Sequence, residues 1–118
     1  MSKPNAIPAI AAVLALLSAG LAQAQSVDVS SPKDFMLLAQ GIEVAEEICD
    51  NVDIAADELV EIGEAKHFFR GKVGVSKVEL GAAKAAMEAN AKKDKATYCG
   101  EIARGYKAMY RAILDQAQ

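Results

Sequence analysis

The chain has two cysteines, Cys49 and Cys99, and each lies at one end of a run of apolar residues spaced as in an amphipathic helix. In both runs the apolar positions recur at alternating steps of three and four residues, the spacing of a helix–helix seam. The first run is Phe35, Leu38, Ile42, Ala45 and Cys49, and the second is Cys99, Ile102, Tyr106, Met109 and Ile113. A bond between the two sulfurs would join the end of one helix to the start of another and set the two antiparallel.

The beginning of the chain has the composition of a secretory signal peptide. Lys3 supplies a positive start, residues 6–21 form an uncharged apolar run, and Ala22–Ala24 is a small-x-small cleavage site. An uncleaved membrane anchor is the alternative. The run is about 16 residues long, however, against the roughly 20 that span a bilayer, and Pro8 interrupts it. We therefore predict cleavage after Ala24.

Residues 1–24 are thus predicted to be a signal peptide, and residues 25–118 a single helical domain. An exported chain enters an oxidising compartment, where an even pair of cysteines favours a disulfide over a metal or redox site. A domain of this size buries a limited share of its surface and gains from such a covalent link. We predict a Cys49–Cys99 disulfide in a periplasmic or secreted protein that has no stable membrane anchor after signal cleavage.

Capping residues predict where the helices of this domain begin. The first helix starts at Ser31, which is followed by proline, and the second is expected to start at Asp53. Ser76 and Glu79 have the spacing of a capping box at the start of a third helix. The fourth helix is expected to begin near Ala96, after a charged turn. The sequence therefore predicts four helices.

Glycines and turn residues predict where these helices end. The first is expected to end near residues 50–51, the second at Gly71 and Gly74, and the third near Lys92. Because the connections are short, consecutive helices should run antiparallel. The predicted fold class is all-α: a small up-down four-helix bundle with one disulfide joining the end of helix 1 to the start of helix 4.

Charge is distributed unevenly along the predicted domain. Its formal charge is −4, because the whole chain carries −3 and cleavage removes Lys3 but no acid. Residues 25–64 hold eleven acids against Lys33 alone, whereas residues 65–118 hold eleven bases and five acids. Mutual neutralisation between helices is the simplest interpretation, and an acidic face for a cationic partner or a pH trigger are the alternatives. The net acidity argues against nucleic-acid binding.

No residue pattern predicts a metal or cofactor site. His67 is the only histidine, and we interpret it as a helix-dipole partner or a surface residue near a helix C-terminus. Haem held by His67 and Met36 is an alternative, although the chain has no CxxCH motif. The stretch Asp50–Asp53 lacks the central glycine and terminal glutamate of a calcium loop. We therefore predict no metal and no cofactor.

No pattern predicts catalytic residues either. Glu43, Glu47 and Glu58 are a possible set of paired carboxylates for hydrolysis, but acid-rich helix faces are usually just solvated. We therefore predict that the protein is not an enzyme. Val60 and Phe68, if they lie off the apolar seam, can mark a dimer surface.

Three short stretches resemble a family of small exported helical proteins of Gram-negative bacteria, catalogued as a domain of unknown function. They are Glu47–Cys49 at the end of the first helix, Gly74–Glu79 at the turn into the capped helix, and Tyr98–Cys99 at the start of the last helix. The resemblance extends over residues 32–114 and implies an exported helical fold, without an activity.

In size and cysteine spacing the chain is also similar to periplasmic acid-stress chaperones. It departs from them in having no tryptophan and no lysine-dense tail. The leading expectation is therefore a small exported non-enzymatic helical module that binds another protein or an envelope component. The alternative is an acid- or stress-activated periplasmic holdase chaperone.

Overall fold

The computed structural model describes residues 31–118, so the predicted signal peptide and the start of the predicted domain lie outside the described residues. The described part folds into four α-helices and contains no strand. These are α1 (Pro32–Ile48), α2 (Ala56–Val73), α3 (Lys77–Lys93) and α4 (Lys95–Gln116). The prediction of an all-α four-helix bundle is confirmed.

Helix α1 begins as its sequence predicts and forms the centre of the bundle. The Ser31 hydroxyl accepts a hydrogen bond from the Asp34 amide at 3.2 Å, and Pro32 occupies the first helical position. Every residue from Phe35 to Ile42 is buried. A helix that is buried on all sides lies within a core rather than on a surface, and α1 packs against each of the other three helices.

The start of α2 differs from the prediction. The helix begins at Ala56, and Ala55 occupies the N-cap position without a side-chain hydrogen bond, so Asp53 does not cap it. After α1 ends, the backbone of Cys49 is extended, and Val52 and Ile54 pack against the core. Because these two apolar side chains pack against the core, the connection stays non-helical and α2 begins only at Ala56.

The end of α2 separates the two glycines that were both expected to stop it. Gly74 has φ 79°, in the left-handed region, and its amide bonds to the Arg70 carbonyl at 2.9 Å. Gly71 lies inside the helix. Only Gly74 needs the conformational freedom of glycine, so Gly74 ends α2 and Gly71 does not.

Helices α3 and α4 follow each other with a single residue between them. The predicted capping box of α3 is confirmed, because Ser76 and Glu79 exchange both side-chain-to-backbone hydrogen bonds, at 3.0 and 3.1 Å. Asp94 ends α3 and also caps α4 by accepting a hydrogen bond from the Thr97 amide at 3.3 Å. Helix α4 therefore begins at Lys95, one residue before its predicted start.

The predicted seam and disulfide are confirmed. The buried residues include all ten seam positions, namely Phe35, Leu38, Ile42, Ala45, Cys49, Cys99, Ile102, Tyr106, Met109 and Ile113. Cys49 and Cys99 form a disulfide with a Cα–Cα distance of 5.7 Å. Near it the buried Tyr98 hydroxyl donates to the Gly41 carbonyl at 2.6 Å. The covalent bond and this hydrogen bond both join α4 to α1.

Helices α2 and α3 both pack against the α1–α4 pair and do not contact each other in the described part of the chain. Contacts such as Phe35–Phe69 set α1 and α2 antiparallel. Gln40 donates to the Leu80 carbonyl, and Lys84 pairs with Glu47, so α3 runs parallel to α1. The up-down directions are as expected, but the consecutive helices α2 and α3 are not neighbours.

Candidate functional site

The two residues proposed as haem ligands differ in burial. Met36 is buried in the core on α1, whereas His67 is exposed on α2. Within residues 31–118 no group of three or more His, Cys, Asp or Glu side chains is placed to hold a metal ion. In the same range no helix is long and apolar enough to cross a bilayer.

The three glutamates proposed as a catalytic set instead link helices in pairs. Glu43 pairs with Lys66, Glu47 with Lys84 at 3.0 Å, and Glu58 with Lys107 at 3.4 Å. The hydrogen bond from Lys84 holds the pKa of Glu47 below its usual range. These carboxylates are therefore engaged by bases on other helices, as structural links would be.

These three ion pairs also explain part of the charge asymmetry. Each joins an acid from residues 25–64 to a base from residues 65–118, on different helices. Mutual neutralisation therefore applies to these three acids. It does not extend to Asp57, Glu61 and Glu64 of α2, which form no ion pair within the described part of the chain.

These three acids lie on the same side of α2 as Val60 and Phe68, the exposed apolar residues that the sequence singled out. Helical spacing places the members of this side within about a third of a turn of one another. We call this surface the outer face of α2, defined as Asp57, Val60, Glu61, Glu64 and Phe68. Val60 is 61% exposed and Phe68 38%. Both therefore lie off the buried stripe, which Ile62 and Phe69 carry on another side of α2.

Phe68 is held in place at the surface by aromatic contacts. Its ring meets the ring of Phe69 edge-on, with centroids 5.4 Å apart, and Phe69 stacks on Phe35 in the core at 5.7 Å. The ammonium of Lys72 lies 5.3 Å from the Phe68 ring centroid. The exposed ring is thus anchored to the core and already accepts a cation on its face.

An open cleft of about 270 Å³ adjoins the outer face, between α2 and the C-terminal end of α4. Its lining combines apolar residues (Ala65, Phe68, Leu114 and Ala117), two acidic residues (Glu61 and Glu64) and the amide of Gln118. The Tyr110 hydroxyl donates a hydrogen bond to Glu61, and this bond raises the pKa of Tyr110 to about 12. Tyr110 therefore stays a neutral donor near pH 7 and fixes one carboxylate at the rim.

The sequence singled out Val60 and Phe68 as candidate surface residues, but it did not predict this cleft. Three of its seven lining residues, Leu114, Ala117 and Gln118, come from the end of α4 and the residues after it. Nothing in the local pattern of α2 places that end beside Phe68. The available signal was the repeat of Glu61, Glu64 and Phe68 at helical spacing, since these residues must share one side of α2.

Comparison with protein-family models, with curated proteins and with solved structures gives no match. The resemblance of three short stretches to a family of exported helical proteins therefore stays a prediction.

Proposed function

We propose that this chain is a small exported, non-enzymatic helical module that binds another protein through the outer face of α2. The observation that carries the proposal is the exposure of Val60 and Phe68 on one side of α2, beside an open cleft. Grouped apolar residues exposed to water and rimmed by polar residues are typical of interaction surfaces. Aromatic residues such as Phe68 are also enriched at the centres of protein interfaces.

Two features support export. The Cys49–Cys99 disulfide is of a kind that persists in oxidising compartments and is rare in the cytosol. The signal-like residues 1–24 give the same compartment from the sequence. The disulfide joins α1 to α4, so the covalent link leaves α2 available for a partner.

Site-specific photo-crosslinking tests the binding surface. A photoreactive amino acid is placed at Val60, or at Val78 as a matched control. Val78 is also apolar and is 83% exposed, but it lies at the start of α3. We expect a defined crosslinked protein in envelope extract from position 60 and none from position 78. Equal labelling from both positions, or none from position 60, would contradict the proposal.

A holdase is the second candidate, and one observation favours it. The side-chain hydrogen bonds between α2 and α4 all end on carboxylates, since Tyr106 and Lys107 donate to Glu58 and Tyr110 donates to Glu61. Acid neutralises such carboxylates, weakens the attachment of α2 and uncovers apolar surface. The test is the aggregation of a client protein with and without this chain at about pH 3 and at neutral pH. Suppression restricted to low pH supports the holdase, and no effect at any ratio excludes it.

A further inference from the structure

The outer face of α2 alternates apolar and acidic residues along the helix axis. Glu64 lies one turn from Val60 on one side and one turn from Phe68 on the other. Asp57 and Glu61 lie along one side of this stripe, and Tyr110 is the hydrogen-bond donor to Glu61. A surface of this kind matches a partner that offers apolar side chains and positive charge together.

The cleft beside this face also combines apolar surface with negative charge. Its apolar lining includes Phe68 and Leu114, and the carboxylates of Glu61 and Glu64 stand at its edge. Lysine and arginine side chains can lay their methylene stems along apolar surface and keep the charged head at a polar rim. Within the chain itself, Lys72 already places its ammonium over the Phe68 ring.

We propose that the outer face of α2 and its cleft bind a cationic amphipathic segment of a partner protein. Apolar side chains of that segment pack on Val60, Phe68 and Leu114, and its lysine or arginine heads pair with Glu61 and Glu64. This inference rests on the proposed function and specifies the chemistry of the partner.

A second copy of the chain is a poorer match for this surface. The basic turn of the chain, Lys92–Lys95, has no large exposed apolar residue, because in residues 31–118 those are Val60, Phe68 and Val78. Val78 adjoins a single base, Lys77, and then Glu79. A second copy therefore offers charge without apolar surface, or apolar surface with one charge.

The probe is a synthetic peptide of about four helical turns with lysine and leucine on opposite faces. One control peptide replaces lysine by glutamate, and the other replaces leucine by serine. We expect the lysine–leucine peptide to bind the full domain at least about tenfold more tightly than either control, as measured by calorimetry at low salt. Equal binding of the lysine–serine peptide would reduce the interaction to unspecific charge attraction and overturn the inference.

Substitutions in the protein locate the site. The double change Glu61→Gln with Glu64→Gln removes two charges and keeps an acceptor for Tyr110, so the domain should stay folded and bind about tenfold more weakly. The matched control, Glu46→Gln with Asp50→Asn, removes two charges from exposed positions elsewhere and should leave the affinity within about twofold. Lys72→Gln removes a competing cation from Phe68 and should strengthen binding. Equal losses in the test and control pairs would overturn the inference.

The outcomes also separate this inference from the proposed function. If position 60 crosslinks a partner whose capture is unchanged by Glu61→Gln with Glu64→Gln, the binding surface stands and its cationic specificity is wrong. If position 60 crosslinks nothing, the proposed function itself fails. If the domain sediments as an oligomer that Lys77→Gln dissociates, the surface binds a second copy and the inference is again wrong.

Discussion

Helices α1 and α4 meet along a buried apolar seam that a disulfide closes, whereas α2 is attached to the same two helices with a larger polar contribution. The seam holds Ile102 and Met109 at full burial, and Cys49 is bonded to Cys99. Helix α2 buries Ile62, Ala65 and Phe69. The Glu43–Lys66 ion pair also joins it to α1, and hydrogen bonds to Glu58 and Glu61 join it to α4.

The difference separates two roles: the α1–α4 pair stabilises the fold, and α2 exposes residues to solvent. The covalent bond and the apolar seam respond to reduction and to core truncation, while the carboxylate links of α2 respond to pH. Since the disulfide already joins α1 to α4, the side of α2 that borders the cleft can carry exposed apolar and acidic residues.

Removing the disulfide should have the largest effect on stability. The bond closes a loop with a sequence separation of 50, and the chain-entropy model gives a loss of about 4 kcal/mol for Cys49→Ser with Cys99→Ser. Equilibrium unfolding in denaturant, followed by circular dichroism, measures this change. Reduction of the native protein is the control and should give the same shift. An unchanged midpoint would show that the seam alone holds α1 and α4 together.

Truncating a buried side chain of the seam and an exposed side chain of α2 should give unequal losses in the free energy of unfolding. Ile102 is fully buried in the seam, so Ile102→Ala should lower the free energy of unfolding by about 3 kcal/mol. Val60 is exposed on α2, so Val60→Ala should change it by less than about 0.5 kcal/mol. The same denaturant series measures both variants. A large loss at Val60 would mean that the outer face of α2 belongs to the core.

The two glycines near the end of α2 should respond to alanine with opposite signs. Gly74→Ala places a side chain at positive φ and should destabilise the domain by about 1 kcal/mol. Gly71 lies within the helix, and a Cβ there would meet nothing within 4 Å, so Gly71→Ala should stabilise by up to about 1 kcal/mol. Thermal unfolding of the two variants checks the signs. Two losses would place Gly71 outside a regular helix.

The smallest effect should be the pH response of the link between α2 and α4. The hydrogen bond from Tyr106 holds the pKa of Glu58 below its usual range. A carboxyl whose pKa is lower in the folded state stabilises the fold above its unfolded pKa, and this contribution is lost as pH falls through the folded value. Stability should therefore decline below about pH 4.

The variant Glu58→Gln should flatten this decline, because its amide does not titrate. Asp57→Asn, at the neighbouring exposed position, is the matched control for the loss of one charge from the first turn of α2. Unfolding midpoints across a pH series compare the three proteins. Identical slopes in the native protein and Glu58→Gln would remove Glu58 from the pH response.

Local signals account for the parts of the fold that the sequence predicts correctly. Ser31 and the Ser76–Glu79 pair bond to amides within one turn, so their roles can be read without tertiary structure. The two seams are periodic, and their cysteines mark which ends must meet. These signals predict four helices, their directions and the disulfide.

The remaining features depend on contacts distant in sequence. Val52 and Ile54 pack on the core and delay α2, although Asp53 is a suitable cap by local rules. The lack of contact between α2 and α3 and the cleft beside Phe68 both follow from how whole helices are placed. The outer face of α2 was therefore only partly predictable: its exposed residues could be picked out, but the end of α4 beside it could not.

The assignment of binding to the outer face of α2 can be tested directly by nuclear magnetic resonance. Backbone amide chemical shifts of the isotope-labelled domain are mapped as the lysine–leucine peptide is added. If the outer face of α2 is the binding surface and the seam is a scaffold, the changes should be confined to residues 57–72 and 111–118, and α3 should be unaffected. Changes spread over α3 and the α1–α4 seam, or no changes at all, would contradict the assignment of binding to α2.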